Sequence, residues 1–334
     1  MVPNPHDTLF KVVFSQLEHA RGMLQTVVPP ALAALIDWST LSLEPNSFVD
    51  AALRWQYTDL LYSAAWLGTD SSLVYFLFEH QSTLPDGGLM AFRLLRYQVQ
   101  IWETWRADHK DAKALPPVVP IVMYHGSAPW SAPRTFAELL DAPAGQRSVV
   151  APYTAQLSYM LHDLAEVSDD ELRTAPRMTA LGKLAVLCLK HARVRADFLE
   201  IFTDWMEVVR EVARAPTGLK ALAQVIRYIL LVHQPGQRAP LEALMALMER
   251  EVGSQAKEAI MTIGEQLIEQ GVQQGRQEER QRFQGSLLRL LRQRFGNEVD
   301  AHVERRVAAG SGEQLEAWIA RVLSAATLAE LLAD

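Results

Sequence analysis

The chain has 334 residues, 49% hydrophobic and 21% charged, enough for one sizeable core and a smaller second module. Its single cysteine, Cys188, excludes a disulfide framework within one chain and suits a reducing compartment. A formal net charge of -7 argues against a protein that coats nucleic acid non-specifically, since such binding rests on many Lys and Arg contacts to phosphates.

The N-terminus, with Pro3, Pro5, His6, Asp7 and Lys11, lacks the basic-then-apolar order of a signal peptide. Even the apolar stretch from Ala221 to Val232 carries Gln224 and Arg227, so no membrane span is expected and a cytoplasmic location is. Asp7 or Thr8 is placed to cap a helix through Leu9, Phe10, Val13, Phe14 and Leu17 that ends before Pro29 and Pro30. Alternation around Leu41 and Leu43 predicts a short strand; a second strand fits Tyr57 to Trp66, and the third is Leu73 to Gln81. Asp86, Gly87 and Gly88 form a turn before a helical pattern from Leu89 to Trp105, with Phe92, Leu95, Val99 and Trp102 at helical spacing. Val118 to Tyr124 reads as a fourth strand, closed by the turn His125, Gly126, Ser127. From Tyr153 to about Met248 the patterns are helical. A Gln- and Glu-rich helix follows Gly253, and its Gly264, Gly271 and Gly275 serve either close packing or a flexible connector. Leu287 to Phe295 and Leu315 to Leu332 make a compact amphipathic end piece.

The third strand holds the chemistry. LVYFLFEHQS is an apolar run that breaks into Glu79 and Gln81, two residues apart and therefore on one face of the strand. Hairpin pairing with the second strand would bring Asp59 beside Glu79. Two carboxylates suit one Mg2+, which prefers oxygen ligands and keeps several waters; the backbone carbonyl of His80 is a further candidate ligand. Such an ion polarises a phosphoryl oxygen and activates a bound water, which Gln81 would orient. The spacing by itself also fits strand-end carboxylates that simply face solvent.

Five ordered blocks resemble a known family: HDTLFKVVF (His6 to Phe14), SFVDAALRWQYTDLLY (Ser47 to Tyr62), FLFEHQS (Phe76 to Ser82), FRLLRYQVQIW (Phe92 to Trp102) and VVPIVMYHGSAPW (Val118 to Trp130). Together, over roughly residues 5 to 250, they look like the Rpn family of recombination-promoting nucleases, also known as YhgA-like putative transposases, within the PD-(D/E)XK nuclease superfamily. The resemblance implies an α/β core of one helix, three strands, a helix and a strand. It implies metal binding by Asp59 and Glu79, with Gln81 at the third catalytic position. There the wider superfamily most often has lysine, whose charge a neutral amide lacks. Slower chemistry follows, or a lysine supplied from elsewhere such as Lys11, which is otherwise a solvated residue of the first helix. Glu18 is a further carboxylate for the metal shell or else a surface charge. Arg93, Arg96 and Gln100 recur on one face of the helix after the site and are candidate contacts to the DNA backbone or a solvated face. The end piece resembles a small C-terminal domain found in many such chains, which carries no implication of activity.

No Walker loop, nucleophile elbow, HExxH or paired CxxC is present. Nor is there a helix-turn-helix signature or strongly basic domain to support strand transfer by a transposase. His19, His80, His162, His191 and His233 are scattered singly and read as structural, His125 as part of a turn. The expected organisation is a nuclease-like core at 1–150, a helical extension at 151–252, a helical connector at 253–285 and a small helical domain at 286–334. The expected activity is Mg2+-dependent DNA endonuclease, with Mn2+ or Ca2+ as alternative ions and DNA as partner. A catalytically silent binding member that self-associates through its C-terminal helix is the alternative, and a homo-oligomer fits either.

Overall fold

A computed structural model describes residues 4–45, 60–69, 72–191, 198–232 and 239–333. Helix α1 (Pro5–Phe14) begins with a proline, whose fixed φ and missing N–H suit a first turn, and is capped by Asn4, whose side chain accepts from the His6 N–H at 3.1 Å. Asp7, expected at that cap, lies within the helix instead. The one helix expected up to Pro29 is two. The Phe14 carbonyl, which a continuous helix would offer to Glu18, accepts from the buried Tyr62 hydroxyl at 2.5 Å, and α2 (Leu17–Val27) starts afresh. A one-turn α3 (Pro30–Ala33) leads into β1 (Ile36–Leu43).

Strands β2 (Leu60–Trp66) and β3 (Leu73–Gln81) pair antiparallel, from Leu60 opposite Phe78 to Ala65 opposite Leu73. Helix α4 (Met90–Asp108) crosses to β4 (Val118–Tyr124), which runs parallel to β3 with Glu79 opposite Val122. After α5 (Ala144–Val150), a short β5 (Met160–Asp163) pairs parallel to β4 and completes a five-stranded sheet in the order β1-β2-β3-β4-β5. The order helix, three strands, helix, strand is thus present, with the first helix divided. β5 falls where helix was expected: four residues are too few to show alternation, and only the neighbouring β4 makes them a strand.

The two faces of β3 join different cores. Val74, Phe76 and Phe78 pack with Phe10, Phe14 and the helices after β5, whereas Tyr75 and Leu77 pack with Met90, Leu94, Tyr97 and Ile101 of α4. Those later helices are α6 (Asp169–Thr174), α7 (Ala180–His191), α8 (Phe198–Thr203), α9 (Met206–Arg214), α10 (Gly218–Val232) and α11 (Ala239–Glu251). Burying both faces explains the near-continuous apolar run of β3.

The chain divides into two compact units, Met1–Ile260 and Met261–Asp334. Helix α12 (Ser254–Phe295) contributes to the second, with α13 (Ala301–Ala309), α14 (Gly312–Arg321) and α15 (Leu328–Leu331). That unit has its own core of Leu287, Leu291, Val307, Leu315, Trp318 and Leu331. Arginines satisfy its helix C-termini: Arg294 donates to the Val322 and Ala325 carbonyls at 2.5 and 2.6 Å, and Arg306 to that of Leu332 at 2.7 Å. A Cβ added at Gly271 or Gly275 would meet nothing within 4 Å, so neither glycine serves close packing among the described residues. No helix among them is long and apolar enough to cross a membrane.

Candidate active site

Alternation along β3 sends Glu79 and Gln81 towards α4 and His80 towards α1. Glu79 is wholly excluded from solvent, and its Oε1 accepts from two donors: Arg93 Nη2 of α4, an ion pair, and Gln81 Nε2 at 2.5 Å. Its second oxygen, Oε2, is buried and has no hydrogen-bond partner among the described residues. Burying half of a carboxylate without a partner is costly, and an oxygen left so is a site for a donor or a cation. The Gln81 amide nitrogen also donates to the His80 carbonyl at 3.0 Å, so one side chain braces both candidate ligand groups. Asp59, the other carboxylate expected here, lies outside the described residues. The last described pair of the ladder sets Leu60 opposite Phe78, so Glu79 is the next residue along β3. No cluster of three or more His, Cys, Asp or Glu side chains suited to a metal forms among the described residues.

The expected polar face of α4 divides. Arg93 turns inward to Glu79 and is 17% exposed, Arg96 is exposed, and Gln100 is half-buried with its Oε1 unpartnered among the described residues. Lys11 belongs to α1, which packs on the opposite face of the sheet from Glu79. Glu18 is 75% exposed and lies 3.5 Å from the His19 ring. A polar cavity of about 260 Å³ opens beside the site, lined among others by Asp7, His80, Gln81, Asp86 and Arg93. A larger one, about 440 Å³, lies near Arg210 and Glu251, whose charges already pair at 2.6 Å. Cys188 is fully buried, which pushes its thiol well above the usual range and leaves it no nucleophile.

Behind Glu79 lies a cluster that single histidines in the sequence did not announce. The His80 ring is held through both nitrogens, Nδ1 by the Asp7 carboxylate at 3.0 Å and Nε2 by His125 Nε2 at 2.9 Å. An ionised carboxylate only accepts, so His80 donates from Nδ1, and one proton serves the two facing Nε2 atoms. Phe10 and His125 stack on His80 with ring centroids 4.9 Å away in each case. His6 meets His125 edge-on and bonds the Tyr228 hydroxyl at 2.7 Å. The parallel register that sets His80 opposite Met123 brings His125 within reach of His80, which explains why residues 45 positions apart gave no local signal.

Residues 4–220 match the sequence profile of the family described as putative transposase, YhgA-like. The chain is 32% identical over 274 residues to the recombination-promoting nuclease RpnA of Escherichia coli strain K12, covering 80% of this chain and 85% of that protein. It is 33% identical over 272 residues to the recombination-promoting nuclease RpnC of the same strain, covering 80% and 82%. It is also 30% identical over 308 residues to that strain's inactive recombination-promoting nuclease-like protein RpnE, covering 89% and 92%. No solved structure matches the chain significantly.

Proposed function

The chain belongs to the family of YhgA-like putative transposases, and from that membership we propose that it is a metal-dependent DNA endonuclease with a PD-(D/E)XK-type core. The observation that carries the reading is the divided carboxylate of Glu79: Oε1 fixed by Arg93 and Gln81, Oε2 buried and unpartnered among the described residues. Hard oxygen donors of this kind suit Mg2+ or Mn2+, with Ca2+ as a further ion. Glu79 Oε2, Asp59 and the His80 carbonyl would hold the ion, which when bound supplies Lewis-acid polarisation of the phosphate and a more acidic water. Gln81 uses its amide nitrogen on Glu79 and His80, so its amide oxygen is the atom to accept a hydrogen bond from, and thereby orient, an attacking water. Arg96 and Gln100, further along α4, are candidate contacts to the DNA backbone. Relatives named nucleases support the reading at about 32% identity.

The test is nicking of supercoiled plasmid by the purified full chain with Mg2+ or Mn2+, against Asp59→Ala and Glu79→Ala. Loss of about 10²-fold or more in each variant is expected; nicking by both variants at the parent's rate would overturn the assignment. A second reading is a catalytically silent DNA-binding member, favoured by the 30% identity to a relative named inactive over 92% of its length. DNA binding with no cleavage in any divalent metal selects it. Self-association through α12 is compatible with both, and truncation near residue 253 followed by mass measurement tests it.

A further inference from the structure

Arg93 is placed where neither helix stability nor solvation accounts for it. It is the fourth residue of α4, and a cation in the first turn of a helix is opposed by the macrodipole. Its guanidinium is drawn in towards a carboxylate with no solvent exposure, bonding Glu79 Oε1 and the Met90 sulfur, the latter at 3.3 Å. A buried carboxylate stays ionised only with a compensating charge. Gln81 shares the same oxygen and is neutral. Arg93 and Gln81 together line the polar cavity, so the positive charge stands at the rim of the space a substrate would enter.

We infer that Arg93 is the resident cation of this centre: it anchors Glu79 by Oε1 and presents its guanidinium to a non-bridging oxygen of the scissile phosphate. This rests on the nuclease reading. It supplies from α4 the charge that a neutral amide at position 81 lacks, and it removes the need for Lys11. A guanidinium stays protonated in a protein, so Arg93 stabilises charge and transfers no proton. In the hydrolysis, the water oxygen forms a new P–O bond and the ester P–O bond to one deoxyribose breaks. That sugar oxygen leaves with the electron pair and takes a proton from solvent, while the water's proton passes to solvent. Charge accumulates on the non-bridging oxygens, and a preorganised donor there contributes most in the transition state.

The experiment uses the full chain as parent, Arg93→Ala, Arg93→Lys, Glu79→Gln and the double variant Glu79→Gln/Arg93→Ala. Free Mn2+ is read by electron paramagnetic resonance without DNA, affinity for a fluorescent DNA duplex with Ca2+, and plasmid nicking with Mn2+. With Mn2+ saturating for each variant, Arg93→Ala is expected to nick about 10²- to 10³-fold more slowly than the parent, and Arg93→Lys to regain about tenfold. In the Glu79→Gln background, which has no buried charge to strand, removing Arg93 is expected to weaken duplex affinity about tenfold. Nicking by Arg93→Ala within about threefold of the parent overturns the inference, as does nicking that falls only in step with Mn2+ binding. Equal duplex affinity of the single Glu79→Gln and double variants overturns it as well, and that comparison decides even if Arg93→Ala fails to fold. A parent that nicks in no metal sinks the nuclease reading, while the duplex comparison still reports on Arg93.

Discussion

Two adjacent residues of β3 serve opposite faces of the sheet, and their environments set different expectations. Glu79 is braced by α4, whereas His80 is clamped between Asp7 and His125 and stacked against Phe10. Replacing His125 by Leu leaves His80 Nε2 without its acceptor or donor in a fully buried place, and a loss of about 1–3 kcal/mol in urea unfolding is expected. An unchanged midpoint would show that the histidine pair adds nothing. His162 on β5 offers a pH test: burial pushes its imidazole down to about 4. Between the ordinary value near 6.5 and about 4 the unfolded chain binds a proton that the folded one refuses, so this stabilisation is present above that window and is lost as pH falls through it. From pH 7 to pH 4 the parent should lose about 3 kcal/mol more than His162→Gln. Parallel stability curves for the two would contradict a neutral, half-buried His162.

At the scale of elements, glycines with opposite surroundings make a paired prediction. A Cβ at Gly22 of α2 would lie 2.3 Å from the Arg177 carbonyl, where α2 docks on the segment before α7; the same segment receives His19 through Thr179 at 2.8 Å. Gly22→Ala is therefore expected to destabilise by about 1–3 kcal/mol through overpacking. Gly271→Ala and Gly275→Ala meet open space and should each stabilise α12 by about 0.5–1 kcal/mol. Urea and thermal unfolding followed by circular dichroism check all three. If Gly271→Ala instead lowers the stability or the solution mass, that glycine serves a contact between copies. The elements themselves were legible wherever a bounded apolar run or a long helical period was present: the bounds of β3 and β4 coincide with those of the apolar runs read from the sequence, and α4 differs by a residue at its start and three at its end. β5 and the break between α1 and α2 were not, since each depends on a partner far along the chain, β4 in one case and Tyr62 in the other.

On the scale of the whole molecule, two units with separate cores predict separable stabilities. Trp318 is 2% exposed and packs over Gly310 in the second unit. Trp318→Ala should cost that unit about 3–5 kcal/mol and leave the first unit's transition in place. Calorimetry on the full chain reads this directly, and a common shift of all transitions would mean that the units unfold together.

The sequence by itself determined the strand that carries Glu79 and Gln81, the shared face of those two residues, and the family to which the chain belongs. These are local: alternation has a period of two, and ordered blocks survive as text. Only the tertiary structure decided which oxygen of Glu79 is held and which is left open. It turned Arg93 inward, moved Asp7 from a cap to His80, and joined His125 to histidines 45 and 119 positions away. The physical reason is that a hydrogen bond or ion pair is fixed by distance in space. Sheet register and helix crossover set that distance, and no single stretch of chain contains it.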